Sequence, residues 1–240
     1  DVSKGTIAGG AAICPVCGFT IPISSVRIQM KKSKGGTNNC RLVAIRYDDP
    51  KTGKRGYRLP GKQDIEAVKS AILELNRRKQ LPVNNLALVP DETVNPLPHS
   101  VNRLPLYGMT TWGDIFTPRQ ALALTTFADL IRKVNDQTKE DEKDINTAVQ
   151  ECLALCLDRL ADFNSSLCVL NSVGGRGVVH TFGRQALPMV WDFMETNPFN
   201  EVGANWDAGI EAFDKTISNE KVINHLGKVQ KASATSSPLP

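Results

Sequence analysis

The 240-residue sequence contains no apolar run near the roughly 20 residues that a membrane-spanning helix needs, which excludes a membrane protein. It has no GxSxG, HExxH or P-loop motif, and its three histidines are scattered, so conventional catalytic chemistry finds no support. With 41% hydrophobic and 22% charged residues, the composition also excludes collagen-like, low-complexity and wholly disordered chains. A secretion signal is missing as well, and we expect a cytoplasmic protein.

Both ends of the sequence are unusual. It begins at Asp1 rather than at a methionine, and the residues from Ser236 to Pro240 resemble a loop that has been cut. We therefore expect both ends to come from truncation or processing, and the chain to be one part of a longer protein.

The net charge of +4 hides an uneven distribution. Up to Lys62 there are 12 Lys and Arg residues against 3 Asp and Glu, whereas the remaining 178 residues carry 17 against 22. A basic N-terminal part on a mildly acidic body favours a polyanionic partner, above all nucleic acid. A solvated basic face without a partner is the alternative.

Cysteine spacing gives the clearest local motif. Cys14-Pro15-Val16-Cys17-Gly18 is a zinc knuckle, in which the Cys14 and Cys17 thiolates bind one metal ion and Gly18 lets the backbone turn so that amides face the sulfurs. Tetrahedral zinc needs four ligands; the chain offers this pair, with Cys40 as a candidate third. A redox-active pair is the alternative, which a break at Pro22 and the lack of a long following helix disfavour.

The secondary-structure signals predict an α+β fold, in which a small basic zinc-ribbon-like β module precedes a mainly α-helical body. In the β module, residues 1–62, strands at 19–23, 42–47 and 57–59 alternate with Gly- and Lys-rich turns. Residues 63–106 hold a helix to about Lys79 and then five prolines, which predict an extended linker or a strap. The helical domain covers 107–227, and a disordered tail covers 228–240.

Four helices are predicted in the body. Thr117 as N-cap, Pro118 at the first position and Gln120 in a capping box begin the first of them. After a loop at 136–144, a second helix ends at Asn164, and its Cys152 and Cys156 are expected to be buried. Residues 184–195 are predicted to be helical, and Asn205 is predicted to cap a last helix.

Several longer strings resemble one family, the large prokaryotic adenine-specific DNA methylases. The similar strings are residues 14–20 (CPVCGFT), 107–120 (YGMTTWGDIFTPRQ), 158–168 (DRLADFNSSLC) and 181–193 (TFGRQALPMVWDF), followed by Glu195, Asn197-Pro198-Phe199 and Asn205-Trp206. The likeness extends from about residue 5 to residue 235. Strings of this length are far more specific than a single pair of cysteines.

The resemblance implies an internal segment of a larger enzyme. In that family a Gly-rich motif for S-adenosylmethionine lies upstream of this region, an Asp-Pro-Pro-Tyr catalytic motif lies downstream, and a further upstream cysteine pair completes the zinc site. None of the three occurs in this sequence. The chain is therefore expected to supply half a zinc site, to be inactive alone, and to act with the cofactor-binding and catalytic halves of the same protein.

Eight residues are candidate DNA contacts: Lys31, Lys32, Lys34, Arg41, Lys54, Arg55, Arg184 and Gln185. The six that precede residue 62 would contact phosphates, which gives affinity and salt dependence but little sequence choice. For Arg184 and Gln185, DNA contact and stabilisation of the fold both stay open. Arg119 and Gln120 are expected to serve in helix capping and interhelix hydrogen bonds.

The leading hypothesis is a DNA-recognition and scaffold segment of an S-adenosylmethionine-dependent adenine-specific (N6) DNA methyltransferase, which serves restriction-modification, phage defence or another role. The alternative is a non-enzymatic zinc-ribbon and helix module that binds nucleic acid or protein. A structural insertion is the third hypothesis.

Overall fold

The structure, a computed structural model, describes residues 5–8, 11–81, 86–97, 102–134, 143–171, 177–200 and 203–220. Within these ranges the fold is mixed α+β, as predicted, with five α-helices and small antiparallel sheets. The helices are α1 (Ile23–Lys32), α2 (Lys62–Arg78), α3 (Pro118–Arg132), α4 (Lys143–Asp162) and α5 (Trp206–Asn219). None of these described helices is long and apolar enough to cross a membrane.

The strands are short, and most of them precede α2. They are β1 (Ile7–Ala8), β2 (Ala11–Ile13), β3 (Thr20–Pro22), β4 (Ile45–Asp48), β5 (Arg55–Arg58), β6 (Val169–Leu170) and β7 (Val178–Val179). The first three form one antiparallel sheet, β4 pairs with β5, and β6 pairs with β7. Three 3₁₀ helices complete the described elements: Lys34–Asn39, Leu104–Tyr107 and Trp112–Ile115.

The predicted helix starts at Thr117 and Asn205 are confirmed. The Thr117 hydroxyl accepts the Gln120 N–H at 3.3 Å, the Gln120 side chain accepts the Thr117 N–H at 2.9 Å, and Pro118 occupies the first position of α3. The Asn205 side chain accepts the Ala208 N–H at 2.6 Å at the start of α5. Both caps satisfy backbone donors that have no partner within the helix.

The main difference from the predicted β module is α1. Strand β3 is shorter than the predicted strand at 19–23, and the helix begins directly after it at Ile23. Val26 is buried and Met30 is half-buried, a spacing of four that places both on one helical face. The first 62 residues are therefore mixed rather than all-β. The argument against a redox pair also fails in part, because a ten-residue helix does follow Pro22.

The Pro-rich stretch, for which a linker and a strap were the two predicted alternatives, is a strap in the part that the structure describes. The Val94 N–H donates to the Thr110 carbonyl at 2.8 Å, and the Gly113 N–H donates to the Pro90 carbonyl at 2.8 Å. Val94, a residue of the strap, is itself buried. Residues 82–85 and 98–101 lie outside the described residues.

The strap covers one side of the core. The buried cluster contains Leu104, Met109, Ile115 and Leu167, and half-buried Phe116, Leu187 and Met189 pack against it. Helix α3 packs against both α2 and α4, and α4 packs against α5. Gly209 of α5 lies against Cys156, which is buried as predicted, while Cys152 is only half-buried.

The predicted helix at 184–195 is wrong. This segment contains bends and extended backbone, and Leu187 pairs with Asn102 in a bridge. Its backbone groups bond to distant partners instead, since the Met194 N–H donates to the Cys168 carbonyl at 2.8 Å. Pro188 lacks the N–H that a helix interior needs.

Other boundaries differ by a few residues. The predicted strands at 42–47 and 57–59 are β4 and β5, shifted by up to three residues. Helix α4 begins at Lys143, inside the predicted loop at 136–144, of which residues 136–142 lie outside the described residues. The predicted tail at 228–240 lies outside them as well.

Gly108 joins the basic N-terminal part to the helical body. Its φ of +97° lies in the left-handed region, and a Cβ built there would lie 2.5 Å from the Lys31 Cα. Only glycine permits both the conformation and the close backbone approach. The end of α1 can therefore rest directly on the chain between the core residues Leu104 and Met109.

We expect Gly108→Ala to lower the free energy of unfolding by about 1–3 kcal/mol more than Gly53→Ala does. Gly53 is a matched control, because its φ is +64° but a Cβ there would meet nothing within 4 Å. The control substitution should cost only about 1–2 kcal/mol for the left-handed conformation. Urea unfolding of both variants measures the difference, and equal losses would show that α1 does not press on residue 108.

Candidate functional site

The cysteine pair lies at the tip of the β2–β3 hairpin. The Cys14 N–H donates to the Phe19 carbonyl and the Gly18 N–H donates to the Cys14 carbonyl, both at 2.9 Å. Gly18 has a φ of +70°, which lets the chain reverse within the turn. The knuckle thus lies in a hairpin turn, and α1 begins six residues after Cys17. A cysteine of a helix-terminal redox pair would instead lie at the helix N-terminus.

The turn directs donors at the Cys14 sulfur. Hydrogen bonds from the backbone N–H groups of Cys17 and Val16, and one with the Cys17 side chain, hold the pKa of Cys14 below its ordinary value. Such bonds favour the thiolate, which is the form that binds a metal ion. The geometry around Cys14 therefore suits a metal-ligating thiolate.

Two thiolates make only half of a tetrahedral zinc site. No group of three His, Cys, Asp or Glu side chains that could hold a metal ion occurs among the described residues. The candidate third ligand, Cys40, lies instead within the electrostatic influence of Arg119 and Glu195, where partial desolvation and the Glu195 charge raise its pKa. A complete site at Cys14 and Cys17 would thus need two ligands from outside the described residues.

All eight predicted DNA contacts are exposed. Lys31 and Lys32 occupy the last turn of α1, and Lys34 begins the 3₁₀ helix that follows. Lys54 and Arg55 lie at the turn end of the β4–β5 hairpin. The Asp49 carboxylate orders this turn by accepting N–H groups of the next residues, which also lowers its pKa.

Ion pairing separates these cations into two groups. Lys34 pairs with Asp114 at 3.3 Å. Burial opposes ionisation of Asp114, but N–H bonds from Thr111 and Thr110 and the Lys34 charge outweigh it and lower its pKa. Lys34 therefore also ties the basic part to the body. Within the described residues no ion pair involves the other five predicted DNA contacts that precede residue 62, which are Lys31, Lys32, Arg41, Lys54 and Arg55.

Arg184 and Gln185 lie in an exposed bend between β7 and Leu187, where a helix was predicted and does not form. Neither side chain has a hydrogen bond or an ion pair with the described residues. Their backbone position is fixed by residues that precede and follow them.

A polar cleft of about 260 Å³ was not predicted. It is lined by Arg119, Gln120, Ala123, Asn164, Glu195, Thr196, Asn197 and Pro198. Gln120 donates to the Asn164 side chain at 3.3 Å, and Arg119 pairs with Glu195 at 2.8 Å. Residues of two of the strings named above, 107–120 and 158–168, meet here with Glu195, Asn197 and Pro198. Gln120 serves in capping and in a bond to the end of α4, as expected, whereas Arg119 pairs with Glu195, which lies in extended backbone and not in a helix. Neither partner was recognised, because Asn164 and Glu195 lie 44 and 76 positions away.

A larger cleft, of about 500 Å³, lies between the 3₁₀ helix at Lys34, the end of α2 and the strap. Two lysines, Lys34 and Lys79, and two aspartates, Asp91 and Asp114, line it. Because these charges balance, the cleft does not favour an anionic ligand.

Comparisons of the chain with protein-family models, with curated proteins and with solved structures found no match.

In metal-free protein we expect iodoacetamide to alkylate Cys14 faster than Cys40 at pH 7. Exposure alone predicts the reverse order, because Cys40 is exposed and Cys14 is half-buried. The lowered pKa of Cys14 and the raised pKa of Cys40 give Cys14 the larger thiolate fraction. Pulse labelling and mass spectrometry measure both rates, and a faster reaction at Cys40 would contradict the proposed N–H bonds to the Cys14 sulfur.

We expect Gln120→Ala to lower the free energy of unfolding by about 2–4 kcal/mol, because the Thr117 N–H and the Asn164 side-chain Oδ1 then lose their partners in a buried site. The matched control is Gln63→Ala at an exposed position in the first turn of α2, which should change stability by less than about 0.5 kcal/mol. Thermal unfolding of both variants is the measurement. Equal losses of stability in the two variants would show that the hydrogen bonds of Gln120 do not stabilise the fold.

Proposed function

We propose that the chain is the DNA-recognition and scaffold segment of an S-adenosylmethionine-dependent adenine-specific (N6) DNA methyltransferase. The observation that carries the DNA-binding part is the set of five exposed cations without an ion pair in the described residues, Lys31, Lys32, Arg41, Lys54 and Arg55. The charge of a paired surface cation is largely offset by its carboxylate partner. An unpaired cation can instead neutralise a DNA phosphate and release the counterions bound there.

The methyltransferase part rests on the sequence resemblance. At the polar cleft, two of the similar strings meet Glu195, Asn197 and Pro198, which belong to the same resemblance, and this supports it because residues far apart in sequence share one structural unit there. Methylation of N6 requires the target base outside the stack, an acceptor for its amino proton and a methyl donor. Those requirements fall to the cofactor-binding and catalytic halves, and this chain would grip the duplex and support them.

The cysteine pair of the knuckle would supply two of the four ligands of a structural zinc site. Cys14 and Cys17 would hold the ion, which would crosslink this hairpin to a second ligand pair elsewhere in the protein and so make this basic part zinc-ribbon-like. The zinc ion would supply folding energy there rather than chemistry.

A second candidate function is a non-enzymatic zinc-ribbon and helix module that binds protein or nucleic acid. The observation that favours it is the apolar tip of the knuckle, where Val16 is 92% exposed and Phe19 is 66% exposed. Exposed apolar groups of this kind mark docking surfaces. In the methyltransferase the same tip would dock against the remaining halves, so methyl transfer by the full-length protein separates the two functions.

Neutralisation of two phosphate contacts should weaken DNA binding and its salt dependence together. For Lys31→Gln/Lys32→Gln we expect the slope of log affinity against log salt to fall by about 0.9 for each lost contact. The double variant Lys133→Gln/Lys215→Gln is the control, because both of its lysines are exposed and paired to carboxylates on their own helices.

Fluorescence anisotropy with a labelled duplex, measured from low to moderate salt, gives both slopes. A slope that is unchanged in the Lys31/Lys32 variant, or that falls equally in the control, would place the DNA elsewhere. The absence of duplex binding by the unmodified chain would overturn the DNA-binding function itself.

A further inference from the structure

The loop from His180 to Ala186 is held in place at its first residues by Asp162, the last residue of α4. One carboxylate oxygen of Asp162 accepts the Phe182 N–H at 3.0 Å, and the other accepts from His180 Nδ1 at 2.9 Å. The Asp162 carbonyl accepts both the N–H and the hydroxyl of Thr181, each at 2.7 Å. Four hydrogen bonds therefore fix three consecutive residues of the loop.

The far end of the loop is fixed as well. Leu187 forms a bridge with Asn102, and its carbonyl accepts the Arg103 N–H at 3.2 Å. Leu187 also packs against the hydrophobic core. The residues between these two anchors have little freedom, so any side chain that they present to solvent is presented in a defined position.

The loop presents an aromatic ring, a guanidinium and an amide. Phe182 is 59% exposed, and Arg184 and Gln185 are exposed. Phe182 contacts no other aromatic ring in the described part of the chain, unlike the exposed Trp191 and Phe199, which contact Tyr107 and Phe127. Exposure of this apolar ring to water is unfavourable, and burial of the ring against a ligand would remove that unfavourable free energy.

The loop itself carries one positive charge and so favours an anionic partner, and an exposed ring beside a cation suits a nucleic acid, which offers both a base to stack and a phosphate to pair. Residues 182–191 contain Arg184 and no carboxylate, and both oxygens of Asp162 are already engaged. Base stacking on an aromatic side chain, combined with a cation that reaches the adjacent phosphate, is the common way to bind an unpaired nucleotide. A paired base inside a duplex does not expose the face that the ring would need.

We propose that this loop binds DNA at an unpaired base, with the Phe182 ring stacked on the base and Arg184 at a neighbouring phosphate. The inference rests on the proposed DNA binding of the chain and adds a preference for an exposed base. Phe182 is then a binding residue in addition to the cations, and Gln185 lies beside it as a hydrogen-bonding group.

The test compares two duplexes, one fully paired and one with a single bulged 2-aminopurine, using the whole chain. The unmodified chain should prefer the bulged duplex and quench the 2-aminopurine fluorescence. Phe182→Ala should weaken binding to the bulged duplex about fivefold or more, and should change binding to the paired duplex by less than about twofold. Phe182→Tyr, which keeps the ring, should restore the preference and the quenching.

Phe199→Ala is the matched control, because Phe199 is an exposed ring outside this loop and outside the knuckle hairpin. An equal loss of preference in this control, or full quenching by Phe182→Ala, would overturn the assignment to Phe182. Equal affinity of the unmodified chain for both duplexes would overturn the loop inference and leave the proposed phosphate binding intact. Failure to bind either duplex would overturn both.

Discussion

A buried amide, Gln120, connects the elements on which the other features depend. It closes the capping box of α3 and donates to Asn164 just beyond the end of α4, and it is only 2% exposed. Two residues before Asn164, Asp162 ends α4 and fixes the loop that follows β7. A buried polar group of this kind stabilises only when all of its hydrogen bonds form, and so it selects one arrangement of these segments. The adjacent ion pair of Arg119 and Glu195 fixes the backbone that leads to α5 in the same arrangement.

The basic N-terminal part is joined to this body by a second polar centre. Asp114 is buried, accepts two backbone N–H groups at 2.9 Å each and pairs with Lys34. One of the predicted DNA contacts, Lys34, thus attaches the basic part to the body, while Lys31, Lys32, Arg41, Lys54 and Arg55 are exposed. Gly108 permits the same attachment sterically, because the end of α1 lies against its Cα. Rigid attachment of a charged surface to a helical scaffold suits a segment that must orient DNA for a separate catalytic unit.

The features that were predicted correctly are those that interactions between neighbouring residues determine. The caps at Thr117 and Asn205, the end of α2 before the prolines and the turn at Gly18 depend on residues within a few positions, and each could be recognised without the fold. Helix α1 was missed because its short apolar face, with Val26 and Met30, follows a strand signal. The segment 184–195 was mispredicted because its backbone bonds to Asn102, Arg103 and Cys168, far away in sequence. The pairs Asp162–His180 and Arg119–Glu195 depend on tertiary folding alone, so no spacing rule predicts them.

The central claim is that DNA meets the basic part and the His180–Ala186 loop, while the helical face of α4 and α5 supports them. Hydrogen–deuterium exchange of the chain with and without a bulged duplex tests it most directly. We expect slower exchange in α1, in the β4–β5 hairpin and in the His180–Ala186 loop, with little change in α5. Protection confined to α4 and α5, with none in those three segments, would contradict the proposed mode of DNA recognition.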